Sequence, residues 1–85
     1  MTLSRLRKQI DQIDSKILRL LNRRATLVVG IGKIKKKQKL PVYDGHREEA
    51  VLRRLMQASP GPLPASATRK IFREILKNSR KLQSS

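Results

Sequence analysis

The sequence predicts an all-α fold of three helices, long, short and medium, and three observations predict it. Apolar residues recur at steps of three and four, the helical period, through most of the 85 residues. Two breaks, one at Pro41 and one in the stretch SPGPLP over 59–64, cut that pattern into three segments. No strand pattern competes with it.

The first helix is expected from Leu3 to about Lys36. Its stripe runs Leu3, Leu6, Ile10, Ile13, Ile17, Leu20, Leu21, Leu27, Val28, Ile31, Ile34, and no proline interrupts it. Gly30 and Gly32 weaken it locally, by up to ~1 kcal/mol each relative to alanine. At ~1.5 Å per residue it is roughly 50 Å long. The second helix is expected from about Asp44 to Gln57, with Asp44 as its N-cap and Val51, Leu52, Leu55 and Met56 on one side. The third runs from about Ser66, read as its N-cap, to Leu82. Its stripe is Ile71, Phe72, Ile75, Leu76 and Leu82.

The second and third helices are too short to cover the whole stripe of the first. A second copy of the long helix covers the rest, so an intertwined helical homodimer is expected. The length limits the chain to one domain over 1–85, and a lone core of this size is marginal. With no cysteine and one histidine, His46, neither disulfides nor a metal cluster supplies the missing stability. No apolar run approaches the ~20 residues of a membrane span, and no signal-peptide pattern is present, so a cytoplasmic protein is expected by default.

Lys+Arg number 21 against six Asp+Glu, a formal charge of +15. Such a balance favours anionic partners. With only Tyr43 and Phe72 as aromatics, base-stacking nucleic-acid modules are disfavoured. More telling are polar residues on inward faces. On a wheel of ~100° per residue the first stripe centres near Ile17, and Arg24 and Lys35 fall close to that centre. They lie three turns apart, roughly 16 Å along the axis. Arg47 and Glu48 head the stripe of the second helix, and Ser79 and Gln83 continue that of the third. Each has a bland reading: an interhelical ion pair for Arg24, a snorkelling Lys35, a Ser79 bonded to its own backbone. Together, inward cations outnumber inward carboxylates three to one. A small polycarboxylate would meet that demand, because guanidinium groups bind carboxylates through paired hydrogen bonds. No nucleophile and no Gly-rich phosphate loop is evident, so an enzyme built this way works by positioning and electrostatics on a unimolecular reaction.

The blocks LRKQIDQID (6–14), LLNRRATLV (20–28), GKIKKKQKLPVYDGHREE (32–49) and IFREILKNSRKLQ (71–83) closely resemble the all-helical chorismate mutases, the AroQ class. The resemblance implies the Claisen rearrangement of chorismate to prephenate in Phe/Tyr biosynthesis, with no cofactor, no metal and two equivalent sites in a homodimer. It implies that Arg24 and, from the other subunit, Arg7 hold the substrate carboxylates. Lys35 and Gln83 would meet the ether oxygen. Asp44 and Glu48 would meet the ring hydroxyl, and Arg47 and Ser79 would support the ring carboxylate. Ile31, Val51 and Leu76 would be apolar walls. Arg80 departs from the family, which often has an apolar residue there. The alternatives are an isochorismate–pyruvate lyase of the same fold, a basic nucleic-acid-binding helical module, and a catalytically inert dimerisation module.

Overall fold

The computed structural model describes residues 1–84, which form three helices: α1 (Leu3–Lys37), α2 (Gly45–Ala58) and α3 (Ala65–Gln83). The described chain measures 54 × 24 × 15 Å, its long axis being that of α1. No described helix is long and apolar enough to cross a membrane.

Each helix end follows from local chemistry. Thr2 caps α1 by accepting the Arg5 backbone N–H at 3.2 Å. Lys35, Lys36 and Lys37 fill its last turn, where cations suit the helix dipole. The chain then reverses at Lys39, which takes a left-handed φ of 58°. The Leu40 N–H bonds the Lys35 carbonyl at 2.8 Å and the Lys39 N–H bonds the Lys36 carbonyl at 3.3 Å. This is a Schellman turn with a lysine where glycine is usual. It folds residues 40–43 back across the end of α1. Asp44 caps α2, accepting the Arg47 N–H at 3.0 Å.

Ser66 is not the cap of α3, contrary to the sequence expectation. The helix starts at Ala65, with Pro64, two residues before Ser66, in the cap position and no side-chain cap. The Pro64 carbonyl accepts the Ala67 and Thr68 N–H groups and the Thr68 hydroxyl. Proline's fixed φ suits the extended cap position.

α1 and α2 each pack on α3. Val51, Leu52 and Leu76 are buried between α2 and α3, flanked by Leu55 and Phe72. Val28 is the buried apolar residue of α1. The Arg69 guanidinium ties α3 to Glu49 of α2 at 3.1 Å and draws that carboxyl below its ordinary range. The N-terminal half of α1 buries no residue. Every residue from 3 to 23 is exposed, and Ile10, Ile13 and Ile17 are 55, 53 and 49 % exposed. A single chain thus leaves about five turns of apolar stripe in water, far more than a stable monomer of this size tolerates.

Candidate active site

One cavity of about 300 Å³ opens where all three helices and the α1–α2 turn meet. α1 contributes Arg24, Val28, Ile31 and Lys35 to its wall. Val42 and Asp44 come from the turn, and Arg47, Glu48 and Val51 from α2. α3 supplies Leu76, Ser79, Arg80 and Gln83. Of the eleven candidates read from the sequence, ten line this cavity; Arg7 does not. Arg7 sits 17 residues before Arg24 on the same straight helix, roughly 25 Å away along the axis. It cannot turn into the cavity of its own chain.

The polar groups are held in specific ways. The Arg24 guanidinium donates to the Ser79 hydroxyl, which donates in turn to the Ile75 carbonyl at 2.7 Å. Ser79 therefore bonds its own helix and also braces Arg24 across the α1–α3 contact. The Lys35 ammonium donates to the Val42 carbonyl at 2.9 Å. The Schellman turn brings that carbonyl back over the helix end. Neither Arg24 nor Lys35 has a carboxylate partner among the described residues. Glu48, the carboxylate of α2 in the cavity, is already engaged. Arg80 Nη1 donates to its two oxygens at 2.5 and 2.6 Å. That hydrogen bond raises the Arg80 pKa further, and the guanidinium also lies 5.4 Å from the centre of the Tyr43 ring. The Asp44 carboxylate is engaged by its capping bond.

Gln83, the last residue of α3, is partly buried with its amide in the cavity. Its Oε1 is the one buried side-chain polar atom among the described residues without a hydrogen-bond partner. Such atoms are uncommon in native folds, and this one is free to accept from a donor. Ile31, Val51 and Leu76, together with Val28, line the cavity with apolar side chains.

Sequence reasoning does not assign Val28, Val42 or Arg80 to the cavity. Val28 carries only the signal of a stripe residue. Val42 acts through its backbone carbonyl, which no side-chain pattern reveals. Arg80 stands out only as a departure from a family pattern.

The cavity therefore gathers four cations, Arg24, Lys35, Arg47 and Arg80, and two carboxylates, Asp44 and Glu48, with a neutral amide and a hydroxyl beside apolar side chains. It suits a compact, largely apolar ligand carrying carboxylates. Comparison with known proteins points the same way. A family model described as chorismate mutase type II matches residues 6–84. The chain is 42 % identical over 78 residues to the bifunctional chorismate mutase/prephenate dehydratase of Aquifex aeolicus, covering 87 % of this chain and 22 % of that protein. It thus spans about a fifth of the length of that relative. Among solved structures, chorismate mutase (Form II) from Thermus thermophilus superposes with a TM-score of 0.94 at 43 % identity, covering 96 % of this chain and 93 % of the other. Chorismate mutase from Helicobacter pylori in complex with prephenate gives 0.88 at 34 % identity, covering 96 % and 89 %.

Proposed function

Because the chain belongs to the chorismate mutase type II family, we propose that it rearranges chorismate to prephenate, within aromatic amino-acid biosynthesis, in a site shared between two copies of the chain. The observation that carries this reading is a cavity in which Arg24 and Lys35 have no carboxylate partner among the described residues, beside a buried amide oxygen, Gln83 Oε1, that accepts no hydrogen bond. Chorismate bears two carboxylates, an ether oxygen and a ring hydroxyl, and its rearrangement is unimolecular.

Each side chain then has a physical task. Arg24 binds one substrate carboxylate and keeps its brace on Ser79. Arg7 of the partner binds a carboxylate from the far side, and Arg47 adds charge beside the ring carboxylate. These contacts hold a flexible molecule in its chair-like reactive shape, which removes much of the entropic part of the barrier. As the C–O bond breaks, negative charge grows on the ether oxygen. Lys35 swings from the Val42 carbonyl to that oxygen, and the Gln83 amide donates an N–H from the other side. Both bonds strengthen as the charge develops, so they act on the transition state more than on the substrate. Glu48 and the backbone at Asp44 receive the ring hydroxyl. Ile31, Val51 and Leu76 exclude water from the ring.

The second copy follows from the position of Arg7. In a twofold antiparallel pair of α1 helices crossing near Ile17, residue 7 of one lies level with residue 27 or so of the other. That level falls between Arg24 and Lys35, beside the cavity. The same crossing buries the exposed stripe around Ile10, Ile13 and Ile17. Sedimentation is expected to show a dimer. Ile17→Glu should weaken it by at least ~10³-fold, because two apolar side chains are lost and two charges are buried unpaired per dimer. Activity at low protein concentration should fall with it. A monomeric wild type, or an Ile17→Glu dimer as tight as the wild type, contradicts the shared site.

Arg80 neutralises Glu48 at the mouth of the site, so that a bare carboxylate does not repel a dianion. The pair is partly exposed, with side-chain exposures of 33 and 20 %. Solvent screens such a pair, so its contribution is modest. Arg80→Leu should therefore raise KM by a few-fold at most and change kcat little. An unchanged or lower KM would show that Arg80 has no such role.

The reading as a whole is tested by offering the purified chain chorismate and isochorismate separately and resolving the products. Prephenate from the first, with little pyruvate from the second, is expected. The reverse assigns the site to lyase chemistry.

A further inference from the structure

Gly30 and Gly32 lie two residues apart on α1, and their surroundings differ sharply. A Cβ built at Gly30 meets no atom within 4 Å. A Cβ built at Gly32 would lie 2.8 Å from the Gln83 Cα, 2.9 Å from its carbonyl oxygen and 3.3 Å from its carbonyl carbon. All three are backbone atoms of the last helical residue of α3, so no change of rotamer relieves the clash. Gly32 is buried, and it precedes Lys35 by less than one turn.

We infer that Gly32 is a positioning residue of the site: its missing side chain lets the last turn of α3 lie directly on α1, at the spacing that sets the Gln83 amide opposite Lys35. The inference rests on the roles proposed above for those two side chains. Any side chain at position 32 forces the end of α3 back by roughly an ångström to reach ordinary contact. Gln83 moves with it. Ser79, one turn earlier on α3 and braced to Arg24, is displaced less. Carboxylate binding is then largely kept while the hydrogen bond to the ether oxygen is lost. A glycine in mid-helix is otherwise a liability, and alanine is the better helix former. Helix propensity alone thus predicts the opposite effect.

Gly30 supplies the control. It lies about 140° round the helix from Ile17, away from the stripe and from the cavity. Gly30→Ala should raise the thermal midpoint by roughly 4–8 °C and leave kcat unchanged. Gly32→Ala should gain no such stability. It should lower kcat about 10²-fold, the scale of an ångström misplacement, with KM changed less than threefold. Because Gly32 acts through Gln83, the effects should not add: in a Gln83→Ala background, Gly32→Ala should lower kcat less than threefold further. Circular dichroism and sedimentation of each variant run alongside. A Gly32→Ala protein with wild-type kcat overturns the inference, as does full additivity with Gln83→Ala. An unfolded Gly32→Ala protein overturns it too, since the glycine would then serve folding rather than the site. A wild type that does not turn over chorismate defeats the underlying functional reading instead, and the two failures are told apart by the wild-type rate alone.

Discussion

Replacing Lys35 with alanine is expected to lower kcat for chorismate by about 10³-fold while leaving the helices and the proposed dimer intact. A single donor aimed at a developing oxyanion typically contributes about 10²–10³ in rate, and a charged donor in a partly buried site belongs at the upper end. Structurally the change is mild. Lys35 makes one bond, to the Val42 carbonyl, from the last turn of α1. Alanine is at least as good a helix former, so the last turn of α1 should persist. A large loss of kcat with an unchanged circular dichroism spectrum therefore separates chemistry from folding. KM should change less than kcat, because the arginines supply most of the ground-state attraction. A variant within threefold of the wild-type rate would remove Lys35 from the mechanism.

The second large effect is expected at Arg24. Arg24→Ala should lower kcat/KM by roughly 10²–10³-fold, with much of the loss in KM. Removing one partner of a desolvated, hydrogen-bonded charge pair costs about 2–5 kcal/mol. Arg24 also braces Ser79 across the α1–α3 contact, so its loss loosens the wall that carries Gln83. Arg24→Lys should recover no more than a tenth of the activity. An ammonium has the charge but not the planar fork that meets a carboxylate and a hydroxyl at once. Full recovery by lysine would mean that charge alone matters at this position. Measuring prephenate binding to both variants by calorimetry separates lost affinity from lost rate.

The architecture is legible because its signals are periodic. Long runs at steps of three and four mark three helices, and two proline breaks mark their limits to within about two residues. Arg24 and Lys35 stand out for the same reason: a cation at the centre of an apolar stripe needs a cause. Gln83 and Ser79 show as polar steps in the stripe of α3. What stays hidden depends on backbone placement. α3 is capped at Pro64, two residues before Ser66. The reversal at Lys39 puts a lysine in a glycine-like conformation, and only that reversal brings the Val42 carbonyl to Lys35. The Arg80–Glu48 pair joins residues 32 apart, beyond any local pattern. From the sequence, Gly32 is only a weak point in a helix. Its closeness to Gln83 is set by how two helices cross, which the sequence pattern does not encode.

The exposed half of α1 has a different standing. Its stripe reads as an interface because α2 and α3 are too short to cover it, and in the single chain they leave it uncovered. Arg7 lies on that half and cannot reach the cavity of its own chain, so the role proposed for it requires a second copy.

Mixing two inactive variants tests that requirement most directly. Arg7→Ala and Lys35→Ala are each expected to be nearly inactive as homodimers. Refolded together in equal amounts, half the dimers are mixed, and each mixed dimer holds one intact site of two. Activity should then return to roughly a quarter of the wild-type value per chain. Recovery near that level places Arg7 of one chain in the site of the other. No recovery, with mixed dimers present by mass spectrometry, would show that each site belongs to a single chain.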